Sequence, residues 1–340
     1  MKLLLLALLA SAALAAAPGA VAGTLDIYWI DVEGGASTFI VTPRGQSVLM
    51  DAGYAGLDDR DAVRIEHVVR DVAGLARIDY ALTSHFHADH VGALAAVARH
   101  IPVGTFIDHG ESVERDTPGG RDIWTTYLEV TGARRHVVVP GEHLTLAGVE
   151  FVIVASNGEV LKTPLAGGGP NGLCAAFTPH PPDAGENARS LGYLLRAGSF
   201  EFLDLGDLSW NLQGQLACPA SMLGHVDLMQ APHHGVRDDV VPQMISAVAP
   251  SVVVMNNGPA KGAGAAGVEH VKQSPGLQDF WSLHRLIAND AMHNAPEMLT
   301  ANLGETADCP GHWIRARVNG DGTFTVTNSR NQFAKTYRVK

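Results

Sequence analysis

The stretch that decides the fold reads Thr83-Ser-His-Phe-His-Ala-Asp-His-Val-Gly92. It follows residues 78–82, a mostly apolar run typical of a buried strand. In an extended segment alternate side chains point the same way, so His85 and His87 are placed to share one ion. The turn that follows re-aims Asp89 and His90 towards another. Because three imidazoles and a carboxylate exceed the needs of one ion, the stretch predicts a dinuclear metal site.

Composition limits the classes of function that the chain can have. It has 340 residues, 46% hydrophobic and 17% charged, as expected for a soluble globular protein with a sizeable core. The formal net charge of −11 disfavours non-specific binding to duplex nucleic acid or to an anionic membrane. The three cysteines allow one disulfide and one free thiol, with the pairing open, and the lack of a C-x-x-C pair disfavours a thiolate zinc site. They are Cys174, Cys218 and Cys309.

Residues 1–22 have the pattern of a secretory signal peptide. Lys2 precedes an apolar run over residues 3–15, and Ala20-Val-Ala22 is a cleavage signal. The run is shorter than a membrane span and ends at Pro18 and Gly19, so a permanent anchor is the weaker interpretation. We therefore expect an exported protein, periplasmic or secreted, without stable membrane insertion after cleavage.

The remaining pattern, residues 23–340, predicts one domain with two halves, each running from strands to helices. Strands are predicted at 25–32, 37–41, 47–50, 78–83, 103–107, several places in 136–156, 190–195, 201–205, 226–230 and 251–255. Helices are predicted at 61–72, 91–100, 119–131, 240–248, 276–288 and 289–299. Residues 157–187 are predicted to form a long loop that is either functional or mobile, 256–267 a flexible segment and 312–326 a hairpin.

Further metal-type residues follow the ends of predicted strands. Asp51 follows one strand, Asp207 follows a hairpin, and the pair His233-His234 follows a third element. Loop positions of this kind meet at one edge of a sheet sandwich, where they build a site.

These motifs resemble the metallo-β-lactamase superfamily, whose H-x-H-x-D-H signature is matched by residues 85–90. The neighbouring motifs resemble the branch of ComEC-type competence hydrolases and related exported phosphodiesterases. Residues 31–36, Asp-Val-Glu-Gly-Gly-Ala, are similar to its Asp-Val-Gly-Gln-Gly-Asp, and Leu205-Gly-Asp207 is similar to its Thr-Gly-Asp. His233-His-Gly235 matches its His-His-Gly. The resemblance implies a four-layer αββα sandwich of two mixed β-sheets flanked by helices.

The resemblance also implies a ligand set. Site one would use His85 and His87 with Asp207 as the bridging carboxylate, and site two would use Asp89, His90, Asp207 and one histidine of the later pair. His234 is the favoured ligand, with His233 facing substrate or donating a proton; the reverse assignment stays open. Asp51 is expected to orient a ligand histidine through its ring N–H.

One expected ligand lacks a counterpart. The superfamily usually adds a histidine to site one before the bridging aspartate, and here the candidates are His136, His143 and His180. The branch instead has an Asn-x-x-Ser segment, matched by Asn187-Ala-Arg-Ser190. Either His180 or Asn187 is expected to complete site one.

The predicted function is a dinuclear metal-dependent hydrolase acting on an ester-like bond, which the resemblance to the ComEC-type branch implies is a phosphodiester. Asp89 would orient the attacking water and His233 would protonate the leaving group. The alternatives are a β-lactam or lactone hydrolase and a non-catalytic metal-binding protein. The ligands favour two zinc ions, with manganese or iron as options. The expected partner is a small-molecule or cell-envelope substrate rather than duplex nucleic acid, and the oligomeric state is open.

Overall fold

The computed structural model describes residues 23–236, 239–304, 306 and 309–340. The predicted signal peptide, residues 1–22, lies outside them. The described residues contain no helix that is both long and apolar enough to cross a membrane. The α-helices are α1 (Arg60–His67), α2 (Ala88–Val91), α3 (Leu94–His100), α4 (Pro118–Thr131), α5 (Trp210–Ala217), α6 (Pro242–Val248) and α7 (Ala265–Lys272). Residues Val68–Val72 continue α1 as a π-helix.

Twenty strands are described. In the first half of the chain they are β1 (Leu25–Trp29), β2 (Thr38–Val41), β3 (Ser47–Met50), β4 (Ile78–Leu82), β5 (Val103–Asp108), β6 (Arg135–Val137), β7 (His143–Leu146), β8 (Val149–Ser156), β9 (Glu159–Val160) and β10 (Gly169–Pro170). In the second half they are β11 (Gly192–Ala197), β12 (Phe200–Asp204), β13 (Ala220–Ser221), β14 (Leu228–Gln230), β15 (Val252–Met255), β16 (Asp279–His284), β17 (Thr300–Asn302), β18 (Ile314–Val318), β19 (Thr323–Asn328) and β20 (Ala334–Arg338).

Two large mixed sheets form the middle of the molecule. The first has the order β20-β19-β18-β1-β2-β3-β4-β5-β6, and the second has the order β17-β16-β15-β14-β12-β11-β8-β7, with β9 paired to β8. Each sheet has an antiparallel part and a parallel part, β3 to β6 in the first and β12 to β17 in the second, with β13 outside it. Parallel strands present their carboxyl ends at one edge, so each sheet has an edge where consecutive loops meet.

The central strands β1, β2 and β3 of the first sheet are buried on both faces. In β1, Ile27 and Trp29 face the second sheet, whereas Tyr28 faces the layer of α1, α3 and α4. Across the sandwich the rings of Trp29 and Phe202 meet edge to face, with centroids 5.6 Å apart. The α5, α6 and α7 helices cover the outer face of the second sheet with Leu216, Ile245 and other apolar side chains. The predicted αββα sandwich is therefore confirmed.

The C-terminal third departs from the sequence prediction. The helix predicted at 276–288 is wrong, because residues 279–284 form β16, a parallel strand between β15 and β17. Its apolar residues pack as a continuously buried strand, a pattern that periodicity alone does not separate from a buried helix. The 289–299 region has only the 3₁₀ turn Glu297–Leu299, and α7 begins inside the segment predicted to be flexible. The hairpin at 312–326 is confirmed and gains β20 as a third strand.

The long loop over residues 157–187 is tied to the body of the protein. Cys174 forms a disulfide with Cys218, at the end of α5, and Cys309 is the free cysteine. The sequence left the pairing of the three cysteines open. In the structure the loop crosses α5, and this path brings Cys174 to Cys218.

A buried glutamine joins the two sheets through polar contacts. The Gln230 Oε1 atom accepts hydrogen bonds from Trp29 Nε1 (2.9 Å) and Thr38 Oγ1 (2.8 Å), both on the first sheet. Its Nε2 atom donates to Asp204 Oδ1 at 2.9 Å. Burial raises the pKa of the Asp204 carboxyl to about 7. The bridge fixes how the sheets sit directly below the edge where the loops meet.

Replacing Gln230 with leucine should cost about 2–6 kcal/mol of unfolding free energy, because two buried donors lose their acceptor at about 1–3 kcal/mol each. Urea denaturation measures the change. Gln273→Leu, at an exposed position, is the matched control and should stay within about 0.5 kcal/mol of the parent protein. Equal stability of the two variants would show that the bridge contributes nothing.

Candidate metal centre

The metal-type residues lie at the carboxyl ends of strands from both sheets. Asp51 follows β3, and residues 83–90 follow β4, all in the first sheet. Asp207 follows β12, and the His233-His234 pair follows β14, both in the second sheet. The sandwich therefore brings together residues that lie up to about 180 positions apart in the chain, at the edge where the parallel strands end.

The backbone of the motif at residues 85–90 changes from extended to helical after His87. His87 is extended, with φ −79° and ψ 151°, and α2 begins at the next residue. The extended part places His85 Nε2 3.0 Å from His87 Nδ1, while the helical turn carries Asp89 and His90 to another position. Strand alternation followed by a turn thus produces two separate groups of donor atoms.

The second group is the more compact. Asp89, His90, Asp207 and His234 each present one donor atom, and the four atoms lie within 4.8 Å of one another. His90 Nε2 is 3.2 Å from both Asp207 Oδ2 and His234 Nε2. Donors about 2.0–2.2 Å from a tetrahedral ion lie about 3.3–3.6 Å apart. The closest of these donor pairs therefore already have the spacing of ligands to one metal ion.

Hydrogen bonds set which ring nitrogen of each histidine is free. Nδ1 of His90 donates to Asp51 Oδ2 at 2.8 Å, and Nδ1 of His234 donates to the Asn256 carbonyl at 3.1 Å. In a neutral ring with Nδ1 protonated, Nε2 carries the lone pair. Both Nε2 atoms are therefore prepared to bind a cation.

Asp51 acts on His85 through Ser84. The serine hydroxyl donates to Asp51 Oδ2 at 2.7 Å and accepts from His85 Nδ1 at 3.0 Å, while the Ser84 N–H donates to Asp51 Oδ1. Asp51 itself has a left-handed φ of 61°. One buried carboxylate thus orients the rings of His85 and His90.

The buried charges depend on one another. Burial disfavours an ionised carboxylate, but the His90 and His234 rings outweigh it and hold the pKa of Asp207 well below its usual range. Against its own burial, the carboxylates of Asp207, Asp89 and Asp51 raise the pKa of His90 well above its usual value. The same carboxylates would stabilise a divalent cation.

The two adjacent histidines have different surroundings. Residues 233 and 234 both have left-handed backbones, φ 46° and 54°, which point their rings apart. His234 is fully buried, whereas 23% of the His233 side chain is exposed. His233 Nε2 is 3.4 Å from Asp207 Oδ2, and its Nδ1 donates to Asp239 Oδ2 at 2.5 Å.

The candidates for a further histidine lie away from the centre. His180 is exposed and stacks on Trp210 with ring centroids 4.2 Å apart. His136 and His143 are exposed and face Glu142 and Glu150. None of the three lies in either group of donor atoms.

Asn187 belongs to a segment that runs along the motif. The segment is attached through Glu186, which accepts from the Phe86 N–H (3.0 Å), and Leu191, whose N–H donates to the Ser84 carbonyl (2.8 Å). The Asn187 Oδ1 atom is buried and has no hydrogen-bond partner among the described residues. An unpaired amide oxygen there is free to accept from a bound group.

Sequence reasoning missed two side chains that complete the surroundings. Lys261 contacts the Asp89 carboxylate and donates to the Tyr54 hydroxyl at 3.3 Å. Glu186 is fully buried and also accepts from His109 and Ser112. Lys261 lies in a glycine- and alanine-rich segment without periodicity, so no pattern marked it. Glu186 directly precedes the Asn-x-x-Ser segment, and this position is the one signal that could have found it.

The 31–36 motif packs directly behind the centre. The Ala36 N–H donates to the Asp89 carbonyl at 3.0 Å. A Cβ atom at Gly35 would lie 2.3 Å from that carbonyl oxygen, so only glycine permits the approach. The motif therefore supports α2 from behind.

The family model described as the metallo-beta-lactamase superfamily matches residues 30–193. The matched part of the chain includes the 85–90 motif. A comparison with curated proteins gave no match.

Several solved structures are similar to this chain at low identity. The metallo-beta-lactamase fold protein YhfI from Bacillus subtilis is 11% identical, with a TM-score of 0.46 over 76% of this chain and 95% of that one. A HARLDQ-motif mutant of a metallo-beta-lactamase from Cronobacter sakazakii is 16% identical, with a TM-score of 0.39 over 60% of this chain and 75% of that one. CmlA, a diiron beta-hydroxylase from Streptomyces venezuelae, is 17% identical, with a TM-score of 0.39 over 74% of this chain but only 47% of CmlA.

Glu186→Gln should lower stability at neutral pH. Burial opposes ionisation, but hydrogen bonds from His109, the Phe86 N–H and Ser112 outweigh it and lower the pKa of Glu186 to about 2. A depressed folded-state pKa stabilises the fold above the unfolded value of about 4.5, and this contribution is lost as pH falls towards 2. We expect a loss of about 3 kcal/mol at pH 7 that shrinks steadily below pH 4.5.

Urea denaturation of the metal-free protein between pH 7 and pH 3 tests this. Glu129→Gln, at an exposed position, is the control and should match the parent protein at every pH. A Glu186→Gln deficit that stays constant between pH 7 and pH 3 would contradict the assigned pKa.

Proposed function

We propose that this chain is a member of the metallo-beta-lactamase superfamily and an exported dinuclear metal-dependent hydrolase that cleaves a phosphodiester-like bond. The convergence of Asp89, His90, Asp207 and His234, with both Nε2 atoms prepared as donors, carries the proposal. Such a donor set at a loop-lined sheet edge fits metal-assisted hydrolysis.

The proposed ligands follow the two groups of donor atoms. His85 and His87 would hold one ion with Asp207, and Asn187, whose Oδ1 atom is unpaired among the described residues, is the candidate to complete that site. Asp89, His90, Asp207 and His234 would hold the other. Histidine and carboxylate donors favour zinc, with manganese or iron as alternatives. When bound, two such ions supply a nucleophile from water at neutral pH and stabilise the charge that develops during displacement.

His233 is proposed to give the leaving group its proton. Its Nδ1–H is held by Asp239, and its partly exposed ring places Nε2 beside Asp207 at the front of the centre. A histidine oriented by a carboxylate is a common general acid. Asp89 is proposed to bind metal through one oxygen and to orient the attacking water.

The surroundings of Asp89 favour a negatively charged substrate. Lys261, with Tyr54, places a cation beside the proposed ions, where it would attract an anionic substrate. The motifs shared with the ComEC-type branch support a phosphodiester. The net charge of −11 favours a small or cell-envelope substrate over long nucleic acid. The Cys174–Cys218 disulfide supports export to an oxidising compartment.

Asp207→Asn should reduce hydrolysis at least about 100-fold, because even partners outside the ligand set cost about 10–100-fold. The assay compares bis-p-nitrophenyl phosphate, a chromogenic cephalosporin and a lactone, using chelator-treated and zinc-restored protein. Activity should disappear on chelation, return with zinc and be highest on the phosphodiester. Asp71→Asn, on an exposed side chain, is the control.

The same panel separates the competing functions. Preference for the cephalosporin or the lactone would replace phosphodiester chemistry with attack at a carbonyl centre. Zinc binding without turnover of any substrate would make the chain a non-catalytic metal-binding protein.

His233→Ala should slow cleavage of a phosphodiester with an alkyl leaving group by about 10²–10⁴-fold. It should affect p-nitrophenolate release much less, because that leaving group needs no proton. Metal content per chain should be unchanged, whereas His234→Ala should lose one ion. The reverse pattern of metal loss would show that His233 is the ligand.

A further inference from the structure

Outside the candidate centre, a second cluster of metal-type side chains contains two buried and two partly buried residues. Asp31 follows β1, His284 ends β16, and Cys309 lies in the segment before β18. Together with Glu33, each presents one donor atom, and the four atoms lie within 4.8 Å of one another. The side chains of Asp31 and His284 are fully buried, and that of Glu33 is 7% exposed.

The contacts of Cys309 are difficult to satisfy with a proton alone. Its Sγ atom is 2.9 Å from Glu33 Oε1 and 3.1 Å from Asp31 Oδ2. A thiol has one hydrogen, so at most one of these close approaches is a full hydrogen bond. A cation in place of that hydrogen would attract the sulfur and both carboxylates.

Two features of Glu33 indicate that its carboxylate has a role in the cluster. Its Oε2 atom is buried without a hydrogen-bond partner and faces His284 Nε2 at 3.7 Å. Its backbone has a left-handed φ of 58°, a conformation that favours glycine, and the corresponding residue of the Asp-Val-Gly-Gln-Gly-Asp motif is glycine. The chain thus holds a strained residue whose carboxylate is incompletely paired.

The net charge of the cluster also favours a bound cation. Among the described residues, Arg64 is the one cation in contact with both carboxylates, through NH1 at 2.8 Å from Asp31 Oδ2 and 3.3 Å from Glu33 Oε1. With a neutral ring and a protonated thiol, the cluster keeps one uncompensated negative charge. A divalent cation bound by the Cys309 thiolate would make the cluster neutral.

We propose that Asp31, Glu33, His284 and Cys309 form a separate mononuclear site for a zinc-class divalent ion. One thiolate, one imidazole and two carboxylates suit zinc or cobalt in four-coordinate geometry. Ion binding releases the thiol proton to solvent, without a change of oxidation state. The site differs from a C-x-x-C zinc site because its ligands come from three distant parts of the chain. It does not depend on the proposed hydrolase activity.

An ion in this site would affect the structure next to the candidate centre. The site would join β1, β16 and the segment that carries Cys309. The neighbouring Gly35 packs on the Asp89 carbonyl. An ion here would therefore stabilise the turn that supports α2.

Cobalt spectroscopy on the full chain tests the proposal, since none of the proposed hydrolase ligands is a cysteine. With the Cys174–Cys218 disulfide intact, cobalt should produce a near-ultraviolet thiolate-to-cobalt charge-transfer band in the parent protein. Cys309→Ser should abolish the band and lower bound cobalt by one ion per chain. His90→Ala, in the other centre, should retain the band.

Thermal melting of Glu33→Gly gives a second readout. Without metal the variant should melt at a higher temperature than the parent, because backbone strain and an incompletely paired buried carboxylate are removed. Its zinc-dependent rise should be smaller than that of the parent. Absence of the charge-transfer band, with equal cobalt content in the parent and Cys309→Ser proteins, would overturn the proposal. The cluster would then be an ion-paired network in which a protonated His284 balances the charge.

Discussion

The buried carboxylate of Asp51 is the interaction on which the candidate centre depends. Its two oxygens accept from the Ser84 N–H, the Ser84 hydroxyl and His90 Nδ1, so the β3 end holds the β4 loop in one arrangement. Such a carboxylate is stable in the interior only when its partners are complete. The hydrogen bonds that stabilise the buried Asp51 carboxylate therefore also orient the ring nitrogens of His85 and His90.

The same requirement links the centre to the core. Gln230 binds the first sheet through Trp29 and Thr38 and the second through Asp204, and it lies three residues before His233. Asp204 lies three residues before Asp207. The geometry of the loops is therefore set by polar contacts one layer below them, where apolar packing alone would permit the sheets to slide.

The candidate centre and the Asp31–Cys309 cluster contain different types of ligand. The candidate centre has histidines and carboxylates with a lysine at its opening, which suits exchange of ligands with solvent. The Asp31–Cys309 cluster is ion-paired with Arg64 and has one thiol, which suits the zinc-class ion proposed for it. Gly34 and Gly35 lie between them, and their lack of side chains permits the close packing.

The sequence by itself determined the motif, most of the strands and helices through residue 255, and the ligand-type residues that meet at the sheet edge; α5 and the short strands β9, β10 and β13 were not predicted. The predicted features are recorded in local spacing: alternation in strands, the turn at Ala88, and ligand types after strand ends. Tertiary structure alone decided that residues 279–284 are a strand, because a fully buried run has no period of its own. It also decided the disulfide pairing, the place of His180 on the surface, and the roles of Lys261 and Glu186. Those depend on contacts between residues far apart in sequence, which only the packed sandwich brings together.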